Sequence, residues 1–527
     1  MIAPRALALS LMVTITAALP AQQTVPERTA MQRTSTHREV LAFLDSLQAR
    51  GAGIQVGTLG LSPRGLSIPY VIAARPMVAT AAEAKRSGKP VVYVQANIHA
   101  GEVEGKEALQ QVLRDLTLGP ARALLDSIIL IAVPIYNTDG NEAFGPASRN
   151  RPGQNGPDTV GLRPNGQGFD LNRDYVKQDA PETRAALALV TTWDPDLFMD
   201  LHTTNGSYHG YALTWSPGLN PNRTPANDWV QDVALPAIRA RVNARHRVAT
   251  FPYGNFRNQH PDSLTQGWWT YESVPRFGTN LMGMSRLSVL SEAYSNDPFP
   301  RRIEATHAFV MEVLRYVAER PEKVRELAGQ MLRHRPDSVV VRSSFAPPRI
   351  DTVIAEITQA AGQGGGGFSR RQRSGVFRAI AMPVIDRFVG TRSEKIPAAY
   401  LLDAQWSEVV ERLRRQGVVV ERLDQPWTGP VSQFPVDSLT ALRPFEGHRP
   451  VRVDGNWADP TPLTVPAGSF LIATDQRLGM LTAFLLEPAS EDGYTTWNLF
   501  DRGLRARSAH PVRRLAELPT VPRSLIP

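Results

Sequence analysis

Residues 91–105 read "VVYVQANIHAGEVEG". The first six are almost continuously apolar and rich in Val and Tyr. That pattern fits a strand buried on both faces of a sheet rather than a half-exposed one. A loop of small residues follows and sets His99 and Glu102 three positions apart. "EGKEALQQVLRDL", residues 104–116, then shows helical spacing of its apolar positions. The loop between strand and helix is either a polar turn in which Glu102 caps the helix, or a place where His99 and Glu102 hold something between them. Gly101 is read as the residue that lets the backbone turn. Glu104 and Glu107 are read as the solvated face of the helix.

The same alternation runs outward in both directions. "THREVLAFLDSLQAR" (36–50) is a helix, and "GIQVGTLGLSPRGLSIPYVIAA" (53–74) is two strands around a Gly/Pro turn. "SIILIAVPIYN" (127–137), "DLFMDLH" (196–202) and "RLSVLSEAYS" (286–295) are strands. "APETRAALALVTTW" (180–193), "NDWVQDVALPAIRARVNARH" (227–246, kinked by Pro236) and "RRIEATHAFVMEVLRYVAER" (301–320) are helices. Strands alternating with helices predict an α/β domain over residues 22–325. Its sheet should be mixed, mainly parallel, and covered by helices on both faces. Residues 326–395 read as an irregular connection, with a flexible Gly-rich linker at 358–375, "TQAAGQGGGGFSRRQRSG". Residues 396–527 read as a smaller α+β domain without a legible motif. It opens on a strand–helix–strand unit at 397–423. No repeat of 20–50 residues is found.

Composition narrows the chemistry. The 527 residues include 42% hydrophobic and 20% charged, which suits a globular protein of two to four domains. The net charge of +8 is spread along the chain. No dense Lys/Arg block with interleaved aromatics is present, so nucleic acid is not an expected partner. There is no cysteine, which removes thiolate metal sites, cysteine nucleophiles and disulfides together. Residues 1–21 have the layout of a secretory signal: Arg5, an apolar run, and Ala21 before Gln22. The run is short of the ~20 residues that span a bilayer, and no second spanning segment is seen. A secreted or periplasmic protein without an integral membrane span is expected.

Catalytic zinc commonly takes three protein ligands and leaves a fourth position open. Without cysteine, the ligands must be His, Asp or Glu. His99 and Glu102 follow one buried strand, and ligands bind at that edge of an open α/β sheet. His202 ends a second strand and can converge on the same edge. Glu292 ends a third and is placed to act as a base. Each has a plainer alternative: His202 as a strand-end histidine, Glu292 as an ion-pair partner of Arg301 or Arg302. "GFDLNRDYV" (168–176) sets Asn172 beside Arg173. An Arg fork with a neighbouring amide suits recognition of a carboxylate. A loop salt bridge to Asp170 or Asp174 is the alternative.

Taken in order, these segments resemble the zinc carboxypeptidases of the carboxypeptidase A type. The resemblance spans residues 35–320. It is carried by "LGLSPRGLSIPYVIA", His99-x-x-Glu102, "YNTDGNEAF", "DLNRDY", "DLHT" and the late Glu292. It implies one zinc ion per chain, held by His99, Glu102 and His202, with Glu292 as general base. It implies that Asn172 and Arg173 hold the free C-terminal carboxylate of a peptide substrate. It also implies an oxyanion-stabilising arginine soon after "NTDG". "FGPASRNRPGQNGP" (144–157) offers Arg149 and Arg151, of which Arg151 is favoured. The chain departs from the family where a mobile tyrosine is expected. His260 falls near that position, and Tyr271 is given no role. Trp268 and Trp269 lie in the segment that sets side-chain preference, or else are core aromatics. Two other functions remain open. One is a zinc amidohydrolase acting on bacterial wall peptides or N-acyl amino acids; the other is a non-catalytic peptide-binding protein on the same scaffold. Oligomeric state is not legible.

Overall fold

A computed structural model of the chain describes residues 22–360 and 371–526. The leader expected at residues 1–21 lies outside them. Among the described residues, no helix is long and apolar enough to cross a membrane.

The centre is an eight-stranded sheet. Its strands are β1 (Ile54–Leu61), β2 (Ser67–Ala73), β3 (Val91–Ala96), β4 (Ile129–Val133), β5 (Leu197–Thr203), β6 (Leu213–Pro217), β7 (Thr250–Pro252) and β8 (Leu287–Ala293). Their spatial order is β1-β2-β4-β3-β5-β8-β6-β7. The contiguous run β4-β3-β5-β8 is parallel, as is β6-β7; the remaining neighbours are antiparallel. The mixed, mainly parallel α/β sheet expected from the sequence is therefore present. Every residue of β3, β4, β5 and β8 is buried. This explains why those strands read as continuous apolar runs and not as alternations.

The two faces are covered differently. Val92 and Val94 of β3 point into a layer with Phe43 of helix α1 (His37–Ala49), Leu109 of α2 (Glu104–Thr117), Ile238 of α4 (Leu235–His246) and Phe309 of α5 (Phe299–Ala318). Tyr93 points the other way, to Leu187 and Val190 of α3 (Pro181–Trp193). In that second layer the C-terminal part of the chain supplies the rest: Val409 and Leu413 of the helix Ser407–Arg415 share one core with α3. Full burial of side chains this size is worth roughly 1.5–3 kcal/mol each. The C-terminal part is thus packed onto the sheet by the same force that builds it. It carries its own antiparallel sheet, with Ala399–Leu402 and Phe470–Ala473 as central neighbours.

Three expectations are corrected here. Residues 326–395 are not irregular: they contain the end of the helix Pro321–Arg333 and the long antiparallel hairpin Arg349–Ala360/Arg371–Ile385. Both flanks of the Gly-rich stretch, Thr358–Ala360 and Arg371–Arg373, are paired strand in that hairpin. These flanks are therefore the two arms of one hairpin, where a linker between two domains had been expected. Third, the segment 227–246 is helical throughout, and its irregularity lies before the proline: a π-turn at Val230–Ala234 ends two residues ahead of Pro236, inside one continuous helix.

Candidate active site

The loop after β3 is shaped by Asn97, which adopts a left-handed conformation (φ 64°). Asn tolerates this region because its side chain bonds locally. Its Nδ2 donates to the carbonyls of Ala100 and Glu102, each at 3.3 Å. The turn is Asn97's work, not Gly101's. Gly101 matters for space instead: a Cβ there would lie 3.1 Å from the Gly161 carbonyl oxygen. Helix α2 has Val103 at its N-cap and no side-chain cap, so Glu102 does not serve the helix.

Glu102 bridges two histidines. Its Oε1 lies 3.1 Å from His99 Nδ1, and its Oε2 lies 3.1 Å from His202 Nδ1. One ligand-type atom from each of the three residues falls within 4.8 Å of the others. All three are nearly inaccessible. The outer nitrogens are held from behind: His99 Nε2 is 3.0 Å from Asp170 Oδ1, and His202 Nε2 is 3.0 Å from Asp200 Oδ2. Carboxylates behind metal-binding imidazoles orient the rings and strengthen them as ligands. The set is hard-to-borderline N/O, which suits zinc and fits a site with an open fourth position.

Charge in this pocket is tightly balanced. Burial alone would raise the Glu102 carboxyl, but Arg151, His99 and His202 outweigh it and hold it well below the usual range. Burial opposes a charged His202, yet Asp200 and Glu102 raise its proton affinity well above that of free imidazole. Glu292 stands on β8 as the register partner of His202 on β5. Burial pushes its carboxyl up to about 8, with Glu102 adding and His202 and Arg151 opposing. Neither arginine considered as its partner is available. Arg301 pairs with Glu304, and Arg302 pairs with the buried Glu104.

Asn172 and Arg173 line the same cavity as the histidines, Glu102 and Glu292. Asn172 Oδ1 accepts from the Gly278 N–H at 3.0 Å, and its Nδ2 is 3.3 Å from His202 Nε2. The Arg173 guanidinium lies over Phe277, its Cζ 4.0 Å from the ring centroid. It forms no salt bridge with Asp170 or Asp174; Asp170 takes a fork from Arg163 at 2.7 and 3.0 Å.

Arg163 carries no cue in the sequence beyond its place in the loop leading to Asp170. It lines the cavity, with Nη1 3.0 Å from His99 Nδ1 and 3.5 Å from Glu102 Oε1. Arg151 does not line the cavity. It lies 3.3 Å from Glu102 Oε1 and donates to the carbonyls of Thr203 and Thr204 at 2.6 and 3.0 Å. Arg149 is exposed on a short helix, away from the cavity.

Other candidates find structural places. Glu104 and Glu107 are wholly buried, contrary to the solvated face expected. Glu104 meets Arg302 and the Thr203 hydroxyl, and Glu107 accepts from Thr34 and Ser35. His209 is packed against Tyr294 in a core where burial lowers it to about 3. Trp268 is core; Trp269 meets Phe345 edge to face, with the Arg257 guanidinium 4.7 Å from its ring centroid; His260 is exposed. The tyrosines that do face the cavity are Tyr253 and Tyr271.

A buried His–Glu–His group at the ends of parallel strands, with a carboxylate beside it, defines the class: a zinc-dependent hydrolase. Comparison with known proteins makes it specific. Residues 40–276 match the zinc carboxypeptidase family, Peptidase_M14. Over those residues the chain is similar to the zinc carboxypeptidases, and this likeness together with the His–Glu–His group supports a zinc metallocarboxypeptidase. It is 22% identical to "Carboxypeptidase 2" of Trichophyton equinum over 86% of this chain and 81% of that one. It is 23% identical to "Probable carboxypeptidase 2" of Arthroderma benhamiae over 82% and 79%. Among solved structures, a metallo-carboxypeptidase from Pseudomonas aeruginosa aligns at 18% identity and TM-score 0.40, over 55% of this chain and 70% of its own. Carboxypeptidase A from Helicoverpa armigera aligns at 15% and 0.40, over 55% and 75%.

Proposed function

We propose that the protein removes C-terminal residues from peptides outside the cytoplasm, with His99, Glu102 and His202 holding one zinc ion and Glu292 as general base. The observation that carries this reading is the convergence of the two imidazole Nδ1 atoms on the Glu102 carboxylate, with Glu292 in register beside His202. Bound there, zinc polarises the scissile carbonyl and lowers the pKa of water. Glu292 takes a proton from the attacking water and delivers one to the leaving amine. The nearby cationic groups His202, Arg151 and Arg163 favour its ionised form. Arg173 and Asn172 hold the substrate's terminal carboxylate, and the Phe277 ring beneath the guanidinium helps to position it. Arg163, and neither Arg149 nor Arg151, faces the developing oxyanion. Arg151 instead supports Glu102 from behind.

The test is a C-terminal ladder read by mass spectrometry on matched peptides with free and amidated C-termini. Successive loss of residues from the free peptides, with the amidated ones intact, is the expected result. Efficient cleavage of amidated peptides would overturn the carboxylate clamp, and cleavage of wall peptides in preference to ordinary ones would replace this reading by the amidohydrolase one. Detection of the mature N-terminus at Gln22 in secreted material tests export.

A further inference from the structure

The cavity in front of the His–Glu–His group has a volume of about 690 Å³ and is walled in part by the C-terminal half of the chain. Its inner end is buried, with Thr279 2% and Leu290 4% exposed. Its outer end is open, with Leu442 42% and Phe445 39% exposed. The loop bearing these two apolar residues is not loose. Glu446 accepts a hydrogen bond from the Asp170 backbone N–H at 2.9 Å, two residues before Asn172. His448 Nε2 lies 2.7 Å from Asp179 Oδ2. Behind the loop, the buried Asp492 accepts from the backbone N–H of Arg276 at 2.6 Å and from Trp497 Nε1 at 3.0 Å. Arg276 in turn lies 5.6 Å from the Phe445 ring centroid.

We propose that Leu442 and Phe445 form a substrate subsite, built by the C-terminal half of the chain, that takes an apolar side chain of the peptide on the N-terminal side of the scissile bond. The inference rests on the carboxypeptidase reading. With the terminal carboxylate on Arg173, which lies over the buried Phe277, the preceding residues leave through the open end and pass over Leu442 and Phe445. Large apolar side chains kept exposed on a pinned loop, continuous with a catalytic cavity, mark a binding surface. The packing of the C-terminal half onto the sheet then has a functional consequence: it places a specificity element over a site whose chemistry the other half supplies.

The experiment compares the full-length zinc enzyme with its Leu442→Ser/Phe445→Ser double variant and with Leu442→Ser alone. The substrates are an acetylated dipeptide, too short to reach the loop, and longer peptides with Leu or Asp at the upstream positions. The wild type is expected to prefer the apolar upstream peptides by about tenfold in kcat/KM, expressed in KM. The double variant is expected to lose that preference, and the single variant to lose part of it. Retained preference in the double variant, with zinc content and melting temperature unchanged, would overturn the proposal. So would dipeptide turnover by the wild type with no upstream discrimination, which leaves the carboxypeptidase reading standing. Failure to cleave either substrate class would overturn that reading and the subsite with it.

Discussion

His202 and Glu292 face each other as register partners on adjacent parallel strands, each at the end of a fully buried run. A one-residue slip in either strand would turn one of the two side chains to the opposite face of the sheet. The continuous burial of both strands is what holds the register, so the fold's core and its chemistry depend on the same contacts.

Glu292→Gln keeps the shape of the side chain and removes its ability to take a proton. The variant should fold and bind zinc at the wild-type stoichiometry, with kcat lower by about 10²–10⁴-fold. Metal analysis alongside steady-state kinetics checks both halves. Near wild-type turnover would remove Glu292 from the mechanism.

The three arginines should separate. Arg163→Ala should lower kcat by about 10²–10³-fold with little change in zinc content, because a donor facing a developing oxyanion acts only in the transition state. Arg151→Ala should weaken zinc binding, since its guanidinium lies against Glu102 and holds the strand-end carbonyls of Thr203 and Thr204. Arg149→Ala, on the exposed short helix, should be indistinguishable from wild type.

Chelation should abolish activity and zinc addition should restore it. It should also lower the melting temperature, because a ligand that binds only the folded state stabilises it by mass action. His202→Ala should abolish tight zinc binding, measured by titration with a metal indicator. Full activity after exhaustive dialysis against chelator, with no residual zinc, would contradict the assignment.

Stability should carry a pH signature from Glu182, which is buried at the start of α3 and accepts from Asn165 Nδ2 at 3.1 and 3.3 Å. Burial pushes its carboxyl up to about 7, with Asp139 and Asp174 adding to the rise. The unfolded chain ionises near the ordinary 4.5, so between the two values the folded state binds more protons. The stabilisation from this group is full below 4.5 and is lost as pH rises through 7. Glu182→Gln removes that dependence. Its melting temperature should gain on the wild type from acid to mildly alkaline pH, and a constant offset across that range would refute the assignment.

Much of this site is legible in the chain because buried strands announce themselves. A continuous apolar run bounded by a turn fixes where the strand ends, and His99, His202 and Glu292 are conspicuous there. Glu104 and Glu107 show where local pattern fails. Charged residues on a helix read as solvated, yet Arg302 lies 198 residues from Glu104, and Thr34 lies 73 from Glu107. No window of sequence contains those partners. The glycine-rich stretch at 358–375 fails for a related reason: composition says nothing of the strand pairing between its flanks.

The sequence alone determined the strands that lead to His99, His202 and Glu292 and the main helices between them, the absence of thiol chemistry, and which residues could act as nitrogen or oxygen ligands. Those follow from composition and from periodicity over a few residues. Tertiary structure decided that Arg163 lines the cavity and Arg149 and Arg151 do not, that Asn97 and not Gly101 makes the turn, and that Leu442 and Phe445 stand at the mouth of a site whose other residues, His99 to Glu292, lie far earlier in the chain. Each of these depends on distance in space between groups far apart along the backbone, and only the closing of a shared hydrophobic core sets that distance.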